Sequence, residues 1–397
     1  MFKRKIVLIF VLFFTVAVFA GNLKQFYKEA TFPKLKLLDV KTKSFKIADL
    51  IVKVKLETRI YIMLAGKEPV GIAISKTEYN YKFSDKFFLP VAIRNFKNTF
   101  GEKPDIENGA MIFTDEADWV FVWSSRLGKG LEKKMLPDSM DFPEKVKKVF
   151  DGVLDTSPSI AALLDKVFPQ SGIVSVYIHS KKKKLFYLID PYDSLLEEMS
   201  AIMPYNSNSV DLKGNYYVAE LTSKTLRKSW FEKDNPVFTV VDTKLDVFND
   251  KDEHLIVKSK QRVRVNRNNL RGFVTNLISS RYSNGFRYYH VKSVKVDGKD
   301  ADFIHTKGQL FVDLGKEYNL GDFVTVEAVC EGDIAIHPNG DNFFSLGTYA
   351  WYPQPDLSKE KSSFEIFVKA PKPYSIFASG KVVDKGEDGD YNYLKTE

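Results

Sequence analysis

Between Val257 and Val265 the chain alternates strictly. Val257, Ser259, Gln261, Val263 and Val265 fall on one side, and Lys258, Lys260, Arg262 and Arg264 on the other. A period of two marks a β-strand with one face buried and one in water, and a one-residue slip would turn every charge inward. This stretch is therefore bound to a sheet in a fixed register. Its surroundings share the texture. From Val237 onward the residues read as short strands: Tyr288–Val296 runs into Asp297-Gly298, a two-residue hairpin turn, and Gln309–Val312, Val324–Val329, Phe364–Val368 and Val382–Val383 follow. The spacing predicts an antiparallel β-sandwich over residues 236–397.

Upstream the signals are mixed. Lys46–Leu56 and Arg59–Leu64 read as strands, and another begins at Pro69-Val70-Gly71 and continues through Ile74. Ala110–Phe113 and Trp119–Trp123 read as two more, with Asp115-Glu116-Ala117-Asp118 as the turn between them. Leu89, Ile93 and Phe96 are spaced as on one helix face within Phe87–Phe100. Pro143–Leu154 and Ser159–Phe168 read as helices, the second opened by Ser157-Pro158, a cap followed by proline at the first helical position. Lys181–Lys184 lies between two apolar runs, Ile173–Ile178 and Leu185–Ile189, as a hairpin tip whose lysines guard an edge. Tyr216–Leu221 reads as a strand, and the polar Lys224–Pro236 marks a boundary. The fold class is thus mixed: an α+β leading domain over 21–235, with antiparallel pairing favoured, and then the sandwich.

Met1–Ala20 has a basic start (Lys3, Arg4, Lys5), an apolar run from Ile6 to Ala20, and small residues at Val18 and Ala20. That is the form of a signal peptide cut before Gly21, and the run is shorter than the roughly 20 residues a spanning helix needs. The mature protein is expected to be secreted, periplasmic or at the cell surface. Losing Lys3, Arg4 and Lys5 takes the formal net charge from +8 to +5, spread over the chain, so no nucleic-acid surface is indicated.

The single cysteine, Cys330, excludes an intrachain disulfide framework and a Cys-rich zinc module, and it reads as a small buried hydrophobe in a strand. The five histidines are scattered, the nearest two being His290 and His305. Gly-x-Ser-x-Gly, Gly-x-x-x-x-Gly-Lys and His-Glu-x-x-His are all missing from the sequence. Asp384-Lys385-Gly386-Glu387-Asp388-Gly389 has the opening of a calcium loop, but Gly386 stands where an oxygen ligand is needed, and the stretch reads as an acidic turn between two strands. Asp190-Pro191-Tyr192-Asp193 with Glu197 and Glu198 reads as a capped turn entering a short helix, and His337–Asp341 as a polar turn. No catalytic residue, metal ligand or cofactor site is expected in this chain.

The carboxy-terminal half carries a resemblance. Gly347-Thr348-Tyr349-Ala350-Trp351-Tyr352-Pro353-Gln354-Pro355-Asp356 is followed by Phe364-Glu365-Ile366-Phe367-Val368, then Pro371-Lys372-Pro373-Tyr374, then Ala378-Ser379-Gly380-Lys381. In this order they resemble the amino-terminal β-sandwich of the aminopeptidase N family of zinc peptidases, the gluzincins. The likeness covers about residues 237–397. Residues 21–235 are similar in layout to the extra leading domain of secreted bacterial relatives, through Tyr187-Leu188-Ile189-Asp190-Pro191-Tyr192-Asp193. The resemblance implies that zinc, its ligands and the general base belong to a thermolysin-like domain beyond Glu397. The chain would then be a fragment or would work with a peptidase domain supplied in trans. Gly109-Ala110-Met111 does not match the family's amine-binding strand, because Ile112-Phe113 follow in place of Glu-Asn. The implied role is a non-catalytic scaffold that docks on a gluzincin catalytic domain, in cis or in trans, and restricts access to it. The alternative is a free-standing secreted binding module for carbohydrate or protein that uses Tyr349, Trp351 and Tyr352 to hold a glycan or peptide.

Overall fold

The structure is a computed structural model, and it describes residues 23–47, 50–84, 89–124, 131–151, 174–180, 184–190, 199–204, 218–220, 237–251, 254–282, 286–306, 308–334, 346, 350–354, 362–372 and 374–397. The expected signal segment, the expected helix Ser159–Phe168, the tip at 181–183, the turn at 191–198, the boundary stretch 224–236, the turn His337–Asp341 and Tyr349 lie outside the described residues. The chain divides into two compact units, Gln25–Lys233 and one containing Asp234–Glu397.

The first unit is built on strands β1 (Lys34–Leu38), β2 (Ser44–Ile47), β3 (Leu50–Lys53), β4 (Arg59–Ala65), β5 (Glu68–Phe83), β6 (Asp105–Glu107), β7 (Ala110–Trp123), β8 (Met135–Met140), β9 (Val174–His179), β10 (Lys184–Asp190), β11 (Met199–Pro204) and β12 (Val218–Glu220). Helices α1 (Leu23–Thr31), α2 (Leu89–Phe100) and α3 (Glu144–Asp151) accompany them. The strands form one sheet in the order β12-β11-β10-β9-β7-β5-β4-β1-β8, with the β2-β3 hairpin attached to β5 and β6 attached to β7. Among the described residues every pairing in it is antiparallel.

At the centre of this sheet, in β4, β5, β7 and β9, both faces are buried, which explains why these strands read as near-continuous apolar runs. On one face Ile60, Ile62, Ile72, Ile74, Val120, Val122, Val176 and Ile178 pack with Leu50 and Val52 of the hairpin and Ala92 and Phe96 of α2. On the other, Tyr61, Met63, Ala73, Phe121, Trp123 and Tyr177 pack under Ala30 of α1 and Val146 of α3. Fully burying side chains of this size contributes about 1.5–3 kcal/mol each. Trp123 is fully buried, and its indole Nε1 donates to the carbonyl of Ala30 at 3.0 Å, so the ring adds area without stranding a polar group.

Two sequence expectations are corrected here. Asp115–Asp118 is not a turn: β7 runs unbroken, with Asp115, Glu116 and Ala117 opposite Tyr79, Glu78 and Thr77 of β5. Glu116 and Asp118 are exposed on either side of the buried Ala117, with core residues before and after them in the strand, and Glu116 meets Lys55 at 2.6 Å. Lys46–Leu56 is not one strand but the β2-β3 hairpin, in which Phe45 faces Val52 and Ile47 faces Leu50.

The second unit contains β13 (Phe238–Lys251), β14 (His254–Val265), β15 (Leu270–Asn276), β16 (Ser280–Tyr282), β17 (Phe286–Val296), β18 (Lys299–Asp300), β19 (Phe303–Thr306), β20 (Gln309–Tyr318), β21 (Phe323–Asp333), β22 (Ser363–Pro371), β23 (Val382–Asp388) and β24 (Tyr391–Thr396). One sheet runs β16-β17-β21-β14-β13-β22-β24-β23, with β18 on β17, and a smaller one runs β15-β20-β19. Their inner faces meet, with the Phe238 ring 4.6 Å from that of Phe273. The mixed fold class, α+β followed by an antiparallel sandwich, is what the chain adopts. One pair departs from the antiparallel rule: β22 lies parallel to β13, Thr243 opposite Phe364 and Val247 opposite Val368. These strands are far apart in sequence, so no tight turn fixes their direction.

The alternating stretch lies in β14 as expected, with Val257, Ser259, Gln261, Val263 and Val265 all buried. The acidic stretch at 384–389 is a further correction, because Asp384–Asp388 belong to β23 and the turn begins at Gly389, where φ is 58°. Gly386 permits the strand, since a Cβ there would come within 2.8 Å of the Tyr393 hydroxyl.

Candidate functional site: the aromatic strap

Residues Ala350–Gln354 cross the sandwich as a strap whose backbone is tied to both sheets. Gln354 and Asn276, at the end of β15, exchange two hydrogen bonds of 2.8 and 2.9 Å. The Ile278 amide donates to the carbonyl of Ala350 at 2.7 Å. From the large sheet, the Tyr289 hydroxyl of β17 donates to the carbonyl of Trp351 at 2.8 Å. Gln261 Nε2 of β14 donates to the carbonyl of Pro353, also at 2.8 Å. Gln261 is fully buried, so this amide places its donor where a prolyl carbonyl would otherwise be stranded. The sequence already carried the signal: Ser259 and Gln261 are the polar residues on the buried side of an otherwise apolar alternation. What they would meet was not legible there.

Of the expected binding residues, Trp351 and Tyr352 are half-buried, their rings 4.8 Å apart and nearly perpendicular. Tyr352 also meets Phe364 of β22 edge-on at 6.4 Å. Burial pushes the Tyr352 hydroxyl above the ordinary phenol range, and a hydrogen bond with Gln354 partly offsets it. The structure brings Trp351, Tyr352 and Phe364 together as a small aromatic edge. The strap that carries Trp351 and Tyr352 is held by the hydrogen bonds from Asn276, Ile278, Tyr289 and Gln261.

Several titratable groups elsewhere are engaged in the frame. Cys330 is fully buried and burial pushes its thiol up to about 12, so it is a packing residue rather than a nucleophile. His254 Nδ1 lies 2.6 Å from Asp250, His305 Nε2 lies 3.1 Å from the carbonyl of Leu277, and Tyr177 meets His179 Nδ1 at 3.1 Å. Glu387 and Asp388, from the stretch with a calcium-like spacing, pair instead with Lys372 and Lys369 at 2.8 and 2.6 Å. Among the described residues no group of three His, Cys, Asp or Glu side chains is gathered as a metal site.

No protein-family model matches the chain, and no curated protein matches it. Solved structures similar to it include an M1 zinc metallopeptidase from Deinococcus radiodurans, 15% identical at a TM-score of 0.33, covering 41% of this chain and 39% of that one. Another is a mutant of a two-domain M1 zinc metallopeptidase bound to L-arginine, 16% identical at 0.33, covering 40% of this chain and 38% of that one. A third is Legionella pneumophila aminopeptidase A in complex with aspartic acid, 13% identical at 0.34, covering 42% of this chain and 20% of that one. The chain thus spans about two fifths of the length of the first of these structures.

Proposed function

We propose that this chain is the exported, non-catalytic portion of a gluzincin-like metallopeptidase, a scaffold that docks on a zinc peptidase domain outside the chain and restricts access to it. The motif order at 347–381 gives the reading its family. The observation that carries the role is the engagement of the strap: the carbonyls of Ala350, Trp351, Pro353 and Gln354 all accept hydrogen bonds from the sandwich. A segment fixed along its backbone to two sheets serves as a rigid frame, and a rigid frame is what shaping one wall of a cleft requires.

The test mixes the purified chain with a gluzincin catalytic domain lacking its own sandwich and follows association by size exclusion. Hydrolysis of aminoacyl-p-nitroanilides and of longer peptides is measured alongside. The chain alone, with zinc, is expected to hydrolyse neither. In the mixture it is expected to co-elute with the peptidase and to slow cleavage of long peptides more than of short substrates. Separate elution at tens of micromolar, or an unchanged length preference, would sink the reading.

A further inference from the structure

Three polar side chains inside the sandwich gather at the strap. Thr243 Oγ1 on β13, Gln261 Oε1 on β14 and Thr275 Oγ1 on β15 have no hydrogen-bond partner among the described residues. Their side chains are at most 2% exposed, so bulk solvent does not reach them. A hydroxyl or amide oxygen buried in this way has lost its hydration without replacing it. Native interiors leave few such groups stranded.

The register brings them together. Thr243 lies directly opposite Gln261 on one side and Phe364 of β22 on the other. The inward row therefore reads Gln261, Thr243, Phe364, spanning about 10 Å at the usual strand spacing. Consecutive strap residues cap its two ends. Gln261 Nε2 donates to the carbonyl of Pro353, and the Tyr352 ring meets that of Phe364. Thr243, between them, lies beneath Tyr352 and Pro353, and its side chain is the shortest of the three. From the small sheet, Thr275 is buried on the same side of β15 as Phe273, which packs on Phe238. The next residue, Asn276, exchanges two backbone hydrogen bonds with Gln354. Gln261 and Thr275 thus approach adjoining strap residues from opposite sheets.

The chemistry of the three groups selects what can join them. The row carries neither a carboxylate nor an ammonium group, so it offers a cation no charged ligand and an anion no charged donor. An apolar filler would leave all three oxygens stranded. The Gln261 amide gives its donor to Pro353 and keeps an acceptor, whereas each threonine hydroxyl both donates and accepts. The complement of that set is a small neutral group that donates to the amide oxygen and exchanges hydrogen bonds with the hydroxyls. Water matches it, and three protein partners fall within the two to four a buried water typically has.

We propose that a structural water molecule is bound inside the sandwich beneath the strap, donating to Gln261 Oε1 and bridging it to the hydroxyls of Thr243 and Thr275. It fixes the Gln261 amide in the orientation that serves Pro353, and so helps to hold the strap on the large sheet. The site lies within the second unit and does not rest on the scaffold reading. A high-resolution crystal structure of the full chain is expected to show an ordered oxygen within hydrogen-bonding distance of Gln261 Oε1 and of at least one of the two threonine hydroxyls. A Thr243 hydroxyl bonded straight to Gln261 Oε1, or side chains closed over the row with no ordered oxygen, would overturn the proposal.

Urea unfolding of valine variants gives a second test whose sign separates the two cases. Thr243→Val and Thr275→Val keep the shape and remove one hydroxyl each. With the water bound, each is expected to raise the unfolding equilibrium constant roughly five- to tenfold. A stranded hydroxyl behaves in the opposite way, because replacing it with a methyl group is neutral or stabilising. The double variant is expected to cost less than the two single costs added together, since both remove partners of one water. Neutral or stabilising single variants, or strictly additive costs, reject the site. If the valine variants do not fold, the crystal structure of the wild-type chain decides.

Discussion

Replacing Asp297 tests how one side chain joins three strands. Asp297 and Gly298 form the β17-β18 turn at φ 49° and 79°, the left-handed pair that a two-residue hairpin demands. One carboxylate oxygen of Asp297 accepts from the Tyr318 hydroxyl at 2.7 Å, and the other accepts from the Thr325 amide at 2.8 Å. Tyr318 is buried, and burial together with the neighbouring carboxylate holds its hydroxyl protonated well above the ordinary phenol range. A hydrogen bond to a charged acceptor contributes about 1.5–3 kcal/mol, and the exposure of Asp297 puts each at or below the low end. Holding alanine in the left-handed region adds about 1 kcal/mol. Asp297→Ala should therefore cost about 3 kcal/mol in all. Asp297→Asn, which tolerates the backbone and keeps one acceptor, should cost about 1 kcal/mol. Asp297→Gly, which relieves the backbone but loses both acceptors, should fall between them. Hydrogen exchange read by mass spectrometry gives the values locally: a loss of about 3 kcal/mol raises exchange at Thr325 roughly a hundredfold where opening is the limiting equilibrium. Peptides from β4 and β5 should exchange as in the wild type. Equal effects of Asn and Ala, or an unchanged Thr325 amide in the alanine variant, would refute the reasoning.

Three further outcomes follow from single residues. Burial lowers the pKa of His305 below the ordinary 6.5, so its contribution to stability is present above about pH 6.5 and is lost as pH falls through the lower folded value; His305→Gln should flatten that part of a thermal-stability profile between pH 7 and 5, and an unaltered slope would assign the dependence elsewhere. At Gly71, φ is 156° and a Cβ would sit 1.9 Å from the carbonyl oxygen of Val122, so Gly71→Ala should cost at least about 3 kcal/mol. Gly109, at φ 74° with open space around its Cβ position, should cost only about 1 kcal/mol on the same change; matching urea midpoints for the two variants would contradict this.

The strength of each local signal decided what could be read from the sequence. Leu89, Ile93 and Phe96 marked α2, and the alternation at 257–265 marked β14 and its buried face, because both patterns are set by one element against one core. The Asp297-Gly298 turn was legible for a similar reason: its backbone needs residues that tolerate positive φ. Asp115–Asp118 misled because a cluster of acids has the same composition in a turn as in the solvated middle of a long strand, and only the partner β5 distinguishes them. The stretch at 384–389 misled likewise, since its strand depends on Tyr393 covering Gly386 from β24.

The sites divide in the same way. Trp351 and Tyr352 were legible as aromatic candidates, but their attachment to Gln261, Tyr289 and Asn276 was not, because those partners lie between 62 and 92 positions away. Sequence alone determined the strand-rich character of the carboxy-terminal half, the buried side of β14 and the turn that closes β17, since these depend on periods and backbone freedom a few residues long. Tertiary structure decided which strands became neighbours, where carboxylates found lysines and which rings shared a surface, since those depend on residues that meet only after the sheets form.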